Sequence, residues 1–219
     1  MKIEKVGKRN IVFKYDLTEW NLNLHLILGE RYNYIVDTGL GSESVAPIQD
    51  YLGNSQKPII AINTHYHWDH IWGNHCFNEY SIISHSRCRE LIAENWTEML
   101  GGNAAYIRGD IKMCLPNLIF DNCLYFPDDG VRVFYTPGHT IDCISIFDER
   151  DKILNAGDNI GDTMQEIVPS LKTGKDVYLG SIHKYKELDV TACISGHNDI
   201  LGNDVFGKIE ELLNAECSK

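Results

Sequence analysis

The chain has 219 residues, 43% of them hydrophobic and 23% charged, with a formal net charge of −11. That length supports one sizeable core and not two comfortable ones, so a single domain over 1–219 is expected, and no basic tract exceeds Lys184-Tyr185-Lys186, which argues against nucleic acid and for a small-molecule substrate. With no run of about 18 apolar residues and no apolar stretch in Met1-Lys2-Ile3-Glu4-Lys5, neither a membrane partner nor a secretory signal is expected, and the location reads as cytoplasmic.

Alternating apolar residues predict antiparallel strands over 11–15, 22–28 and 32–36, then a helix over 42–52 that Ser42 could cap. His25 alternates within the second strand and reads as a satisfied or half-exposed histidine. Asp37-Thr38-Gly39 closes the third strand and would suit a turn whatever its function. The short apolar run 58–62 reads as a buried strand. A helix is predicted over 84–100, with His85 either starting it or lining a cleft. Strands over 131–135, 141–147 and 152–155 come next, followed by helices near 176–188 and 204–215 with a buried strand at 191–195 between them. Two segments, 101–118 and 161–175, break the pattern and read as loops that overhang a pocket. Tyr66, Trp68, Trp72 and Tyr178 are candidates for its walls.

The seven cysteines, Cys76, Cys88, Cys114, Cys123, Cys143, Cys193 and Cys217, include no CxxC pair and no zinc-finger spacing. Their pattern fits reduced thiols, with Cys143 and Cys193 packed in buried strands.

The densest chemistry lies in Thr64-His65-Tyr66-His67-Trp68-Asp69-His70, which offers four metal-ligating side chains in seven residues. An α-helix would scatter such a spacing around its circumference, whereas a strand that ends in a tight loop lets the side chains converge. The helical zinc-protease pattern, two histidines four apart with a glutamate between, is absent. This run therefore reads as a metal-site loop.

His65-x-His67-x-Asp69-His70 resembles the signature of the metallo-β-lactamase superfamily, and later positions are similar to the rest of its pattern. These are His139 in Thr136-Pro137-Gly138-His139-Thr140, Asp158 in Asn155-Ala156-Gly157-Asp158, and His197 in Ser195-Gly196-His197-Asn198. Val36-Asp37-Thr38-Gly39 is similar to the family's first motif, so the resemblance extends over nearly the whole chain. It implies an α+β fold, a four-layer αββα sandwich of two mixed sheets flanked by helices. It also implies a ligand set: His65, His67 and His139 for a first ion, Asp69, His70 and His197 for a second, and Asp158 bridging them, with Asp37 supporting a ligand from behind.

Seven imidazole and carboxylate donors exceed what one tetrahedral ion uses, so two divalent ions are implied, zinc first, with iron or manganese as alternatives. Such a pair, on the order of 3.5 Å apart, lowers the pKa of a water held between them enough to supply hydroxide near neutral pH. The expected activity is hydrolysis of a small ester, thioester, lactone or lactam, with Asp69 among the catalytic groups. The resemblance extends to glyoxalase II and lactonase types, but the chain ends soon after His197 with room for little more than one helix, so the extra helical domain of glyoxalase II is not expected. One alternative is an oxidoreductase like the persulfide dioxygenases of the same superfamily, with one iron held by His65, His139 and Asp158. A phosphodiesterase or nuclease, and a non-catalytic metal-binding protein, are further alternatives. The residues do not fix the oligomeric state; a homodimer is compatible with them.

Overall fold

The computed structural model describes residues 1–216, so Cys217 lies outside the described residues. Seven strands form the first sheet in chain order: β1 (Lys2–Val6), β2 (Asn10–Asp16), β3 (Asn21–Leu28), β4 (Asn33–Val36), β5 (Ile59–Ile62), β6 (Ser81–His85) and β7 (Leu118–Phe120). The first four pair antiparallel and the last three join in parallel. The second sheet holds β8 (Cys123–Phe126), β9 (Val131–Tyr135), β10 (Ile144–Asp148), β11 (Ile153–Asn155) and β12 (Ala192–Ile194), in the order β12-β11-β10-β9-β8. Only β11 and β12 pair in parallel there, so both sheets are mixed.

The sheets face each other through Ile27, Tyr34, Val36, Ile60 and Ile62 on one side and Val131, Val133, Ile144 and Ile146 on the other. Strand alternation sends Leu22, Leu24 and Leu26 of β3 to the opposite face, where they meet Val45 and Ile48 of helix α1 (Ser42–Leu52). Helix α3 (Ser86–Asn103) covers the short helix α2 (Trp68–Ile71) through Cys88, Ile92 and Met99. The outer face of the second sheet is covered by α4 (Lys175–Lys186) and α5 (Asp204–Glu216), through Tyr178, Ile182, Tyr185, Phe206 and Ile209. Helices outside two facing sheets make the four-layer α+β sandwich that the sequence implied. No helix among the described residues is long and apolar enough to cross a membrane.

The differences from the sequence reading have local causes. Ser42 does not cap α1; Gly41 holds that place, and the Ser42 hydroxyl accepts from the Asp110 amide at 2.8 Å, fastening the 106–110 loop to the helix. The predicted helix from 84 starts at Ser86, because Ser81 to His85 extend β6 and the His85 ring caps the helix by accepting from the Arg87 amide. His85 stacks on Tyr135 and does not line the cleft. The third strand of the second sheet starts at Ile144 rather than 141, since Thr140 to Cys143 form a turn.

One end of the space between the sheets is polar. Asn10 Oδ1 accepts from His25 Nε2 at 2.9 Å, and Asn155 Nδ2 faces His25 Nδ1 at 3.3 Å, so a neutral ring satisfies both neighbours. Asn10 Nδ2 also donates to Asp148, which Arg9 pairs. Burial pushes the His25 pKa from 6.5 to about 4, with nearby Asp148 only partly opposing it. The folded state thus refuses a proton that the unfolded chain accepts, so this stability is present above pH 6.5 and is lost as pH falls toward 4. At about 1.4 kcal/mol per pKa unit the loss amounts to about 3 kcal/mol. Urea unfolding of His25→Gln and the parent between pH 7 and pH 4 should show a shallower acid loss in the variant; identical slopes would exclude this origin.

Candidate metal centre

Four loops bring the candidate residues together. β9, β11 and β12 run in the same direction, as their pairings require, so the segments that leave their C-terminal ends emerge on one edge. They carry His139, Asp158 and His197. β5 ends at Ile62 and delivers Thr64 and His65 with little slack, and His67 is still extended at φ −63° and ψ 149°. The alternation stops there. Asp69 and His70 are adjacent positions in the first turn of α2, so the extended loop predicted through Asp69 becomes helical two residues early.

All seven side chains converge. His65, His67, His139 and Asp158 form one group, and Asp69, His70 and His197 another, with the donor atoms inside each group within 4.8 Å of one another. Asp158 Oδ2 joins the two: it lies 3.5 Å from His65 Nε2, 3.8 Å from His139 Nε2, 3.3 Å from His70 Nε2 and 3.2 Å from His197 Nε2. Asp69 Oδ2 sits 3.5 Å from His70 Nε2 and 3.4 Å from His197 Nε2. His67 turns Nδ1 inward, 2.9 Å from His65 Nε2 and 3.1 Å from His139 Nε2.

The outward ring nitrogens explain which lone pairs face the centre. His139 Nδ1 donates to the Ser170 carbonyl at 2.8 Å and His197 Nδ1 to the Asn21 carbonyl at 2.7 Å, which leaves each Nε2 free of a proton in the neutral ring. Asp37 accepts from His70 Nδ1 at 2.8 Å, from the Thr64 amide at 2.7 Å and from the Thr64 hydroxyl at 2.8 Å. Thr64 Oγ1 in turn stands 3.1 Å from His65 Nδ1. Asp37 adopts a left-handed φ of 62°, open to Asp and Asn at little cost, and so aims its carboxylate back under the histidine loop.

Burial opposes charge at His65, His67, Asp69, His70, Asp158 and His197, and their neighbours decide the result. His65 lies well below its ordinary value through burial and the adjacent His70, and burial with His139 lowers His67 to about 4. For His70 and His197 burial is outweighed by Asp158 and Asp69, so His70 rises well above 6.5 and His197 rises to about 9. Burial likewise fails to raise Asp158 and Asp69, because the surrounding imidazoles hold both carboxyls below the ordinary range. The carboxylates therefore attract positive charge to this point, which a cation satisfies as well as a proton.

Two further observations test the fit to metal. His70 Nε2 and Asp158 Oδ1 are buried and lack any hydrogen-bond partner, a costly arrangement unless a further ligand accepts their lone pairs. Gly196 packs so tightly that a Cβ there would stand 2.1 Å from Asp158 Oδ1, so the loop leaves no side chain in the way of the carboxylate. The donor set, imidazole and carboxylate with no thiolate, suits zinc and similar divalent ions.

A cleft of about 620 Å³ opens over the group. Trp20 and Trp68 form one wall, ring centroids 5.8 Å apart, with Trp20 also 5.3 Å from the His197 ring. The 161–175 segment adds to the lining through Asp162, Glu166, Pro169 and Ser170. The 101–118 segment, expected to overhang the pocket, contributes no residue to the cleft lining; it only backs the tryptophans through Tyr106, whose ring packs on both. Of the four aromatic wall candidates only Trp68 lines the cleft. Trp72 and Tyr178 are fully buried core, and Tyr66 packs beside α3. Trp20 and the carbonyls of Asn21 and Ser170 had no sequence signal.

The chain is similar to a limited set of curated proteins and to many solved structures. Acyl-coenzyme A thioesterase MBLAC2 of Homo sapiens is 26% identical over 170 residues, and that of Gallus gallus 25% over 163, each match covering 64% of this chain. The match spans 58% of the length of these relatives. Among structures, a metallo-beta-lactamase from Pontibacter korlensis superimposes with a TM-score of 0.78 at 16% identity, covering 97% of this chain and 98% of that one. TMB-1 superimposes at 0.80 and 17% identity, covering 99% and 98%. At such identities the likeness shows the fold alone. The sequence model of the metallo-beta-lactamase superfamily matches residues 17–197, and with the superimposed fold and the donor cluster in hand, the chain belongs to that superfamily.

Proposed function

We propose that the chain is a hydrolase that uses two divalent ions, zinc first, to cleave small acyl substrates, with thioesters ahead of esters, lactones and lactams. The observation that carries this reading is the position of Asp158 Oδ2, within 3.8 Å of four imidazole nitrogens belonging to both groups. His65, His67 and His139 would hold one ion and Asp69, His70 and His197 the other, with Asp158 between them. When bound, the pair supplies a water of lowered pKa and a positive field for a developing oxyanion. The thioester preference rests on the activity named for the MBLAC2 relatives.

The chain's own groups do the rest. Trp20 and Trp68 give the acyl substrate an apolar wall and exclude water from one side of the cleft. Asp69, at the cleft surface with its carboxyl held below the ordinary range, is ionised and placed to accept a proton from the attacking water. Asp37 and the Asn21 and Ser170 carbonyls keep the imidazoles oriented throughout.

Metal analysis joined to turnover tests this. Protein stripped by a chelator should lose at least about 100-fold in hydrolysis of a neutral thioester and recover it with two equivalents of zinc per chain. One equivalent of iron, with oxygen consumed on a persulfide, would replace the reading with the oxidoreductase one.

A further inference from the structure

The cleft lining is both aromatic and acidic. Trp20 and Trp68 contribute rings that are half-buried and packed on Tyr106. Asp162 and Glu166 line the same cleft, and none of its lining residues is Lys or Arg. At the floor, Asp158 Oδ1 and His70 Nε2 are buried without a hydrogen-bond partner, which suits the divalent ions of the hydrolase reading. Two divalent ions with a hydroxide, Asp69 and Asp158 would leave about one positive charge there, and Asp162 and Glu166 add two carboxylates at the rim. A substrate therefore meets a positive floor only after passing a negative rim, and it finds no side-chain cation to hold an anionic group.

Resting on the hydrolase reading above, we infer that Asp162 and Glu166, lining the same cleft as Trp20 and Trp68, select for acyl substrates with a cationic, ammonium-like group near the scissile bond. A carboxylate or phosphate in the same place is disfavoured. An ammonium that reaches both an aromatic ring and a carboxylate of this lining gains from the ring quadrupole and the ion pair, whereas a carboxylate there is repelled by both and finds no Lys or Arg to pair with.

The test uses three matched thioethers, analogues that cannot be hydrolysed, bearing a trimethylammonium, hydroxyl or carboxylate group at one position. Their binding to zinc-loaded protein is read by tryptophan fluorescence. The trimethylammonium analogue should bind at least about tenfold more tightly than the carboxylate at low salt, and the ratio should shrink as salt rises. In Asp162→Asn/Glu166→Gln the ratio should fall to within about twofold. Equal binding, a preference for the carboxylate, an unchanged ratio in the double variant, or no binding of any analogue would overturn the inference. Hydrolysis of the parent neutral thioester is measured beside it. Turnover without a charge order keeps the hydrolase reading and ends this one, whereas a charge order without turnover does the reverse.

Discussion

Asp158→Ala is expected to lower turnover by at least about 1000-fold and to leave the protein unable to retain two equivalents of zinc. Six of the seven clustered side chains belong to one group or the other, but Asp158 reaches both through a single oxygen. It is also the main reason that positive charge is stable there, since its carboxylate outweighs the burial penalty at His70 and His197. Removing it leaves buried imidazoles facing one another across a gap, with Asp69 as the remaining carboxylate among the seven. Asp158→Asn separates charge from shape: it keeps the volume beside Gly196 while removing the anion, and should retain the fold but lose most of the metal. Metal content by mass spectrometry and thioester turnover, measured on both variants, check the claim. Full zinc occupancy with near-parental turnover in Asp158→Asn would end the two-ion reading.

The sequence carried the layout of this site better than its walls. Side chains with metal-binding chemistry announce themselves by type and spacing, so His65, His67, Asp69, His70, His139, Asp158 and His197 were all readable before their convergence was seen. The strand edges that aim them followed from the apolar runs preceding each motif. What was not legible depends on backbone or on packing across long separations. The Asn21 and Ser170 carbonyls orient two of the histidines, yet a carbonyl is common to every residue and leaves no trace in a sequence. The edge strands β1, β7 and β8 escaped notice because they alternate weakly and expose residues such as Ile3, Ile119 and Tyr125. Trp72 and Tyr178 misled for the opposite reason: a large aromatic near a motif fits core packing and a pocket wall equally well until the fold decides. The strand alternation leaves His25 either satisfied or half-exposed; it is satisfied and buried, between Asn10 and Asn155, which lie on different sheets.

Asp37→Asn should weaken zinc affinity by about 10-fold to 100-fold and destabilise the fold by about 2 to 3 kcal/mol. The carboxylate is only 2% exposed and accepts from three donors, the Thr64 amide at Oδ1 and both the Thr64 hydroxyl and His70 Nδ1 at Oδ2. An asparagine has one acceptor oxygen and one donor NH2, so wherever the NH2 points it faces a group that was donating. If it faces the amide of Thr64, a buried N–H loses its partner. If it faces the Oδ2 side, the Thr64 hydroxyl can rotate to accept, but His70 Nδ1 must then give up its proton. In the neutral ring that proton moves to Nε2, the atom that points at Asp158, and the lone pair available to a metal disappears. Thr64 Oγ1 also backs His65 Nδ1, so one substitution disturbs an imidazole of each group. The left-handed backbone at position 37 tolerates asparagine, which keeps the effect on the carboxylate and off the turn. A competition titration against a chelating dye gives the affinity, urea unfolding gives the stability, and nitrogen chemical shifts of the His70 ring give the tautomer. Unchanged zinc affinity with His70 still protonated at Nδ1 would show that Asp37 shapes the turn without governing the metal centre.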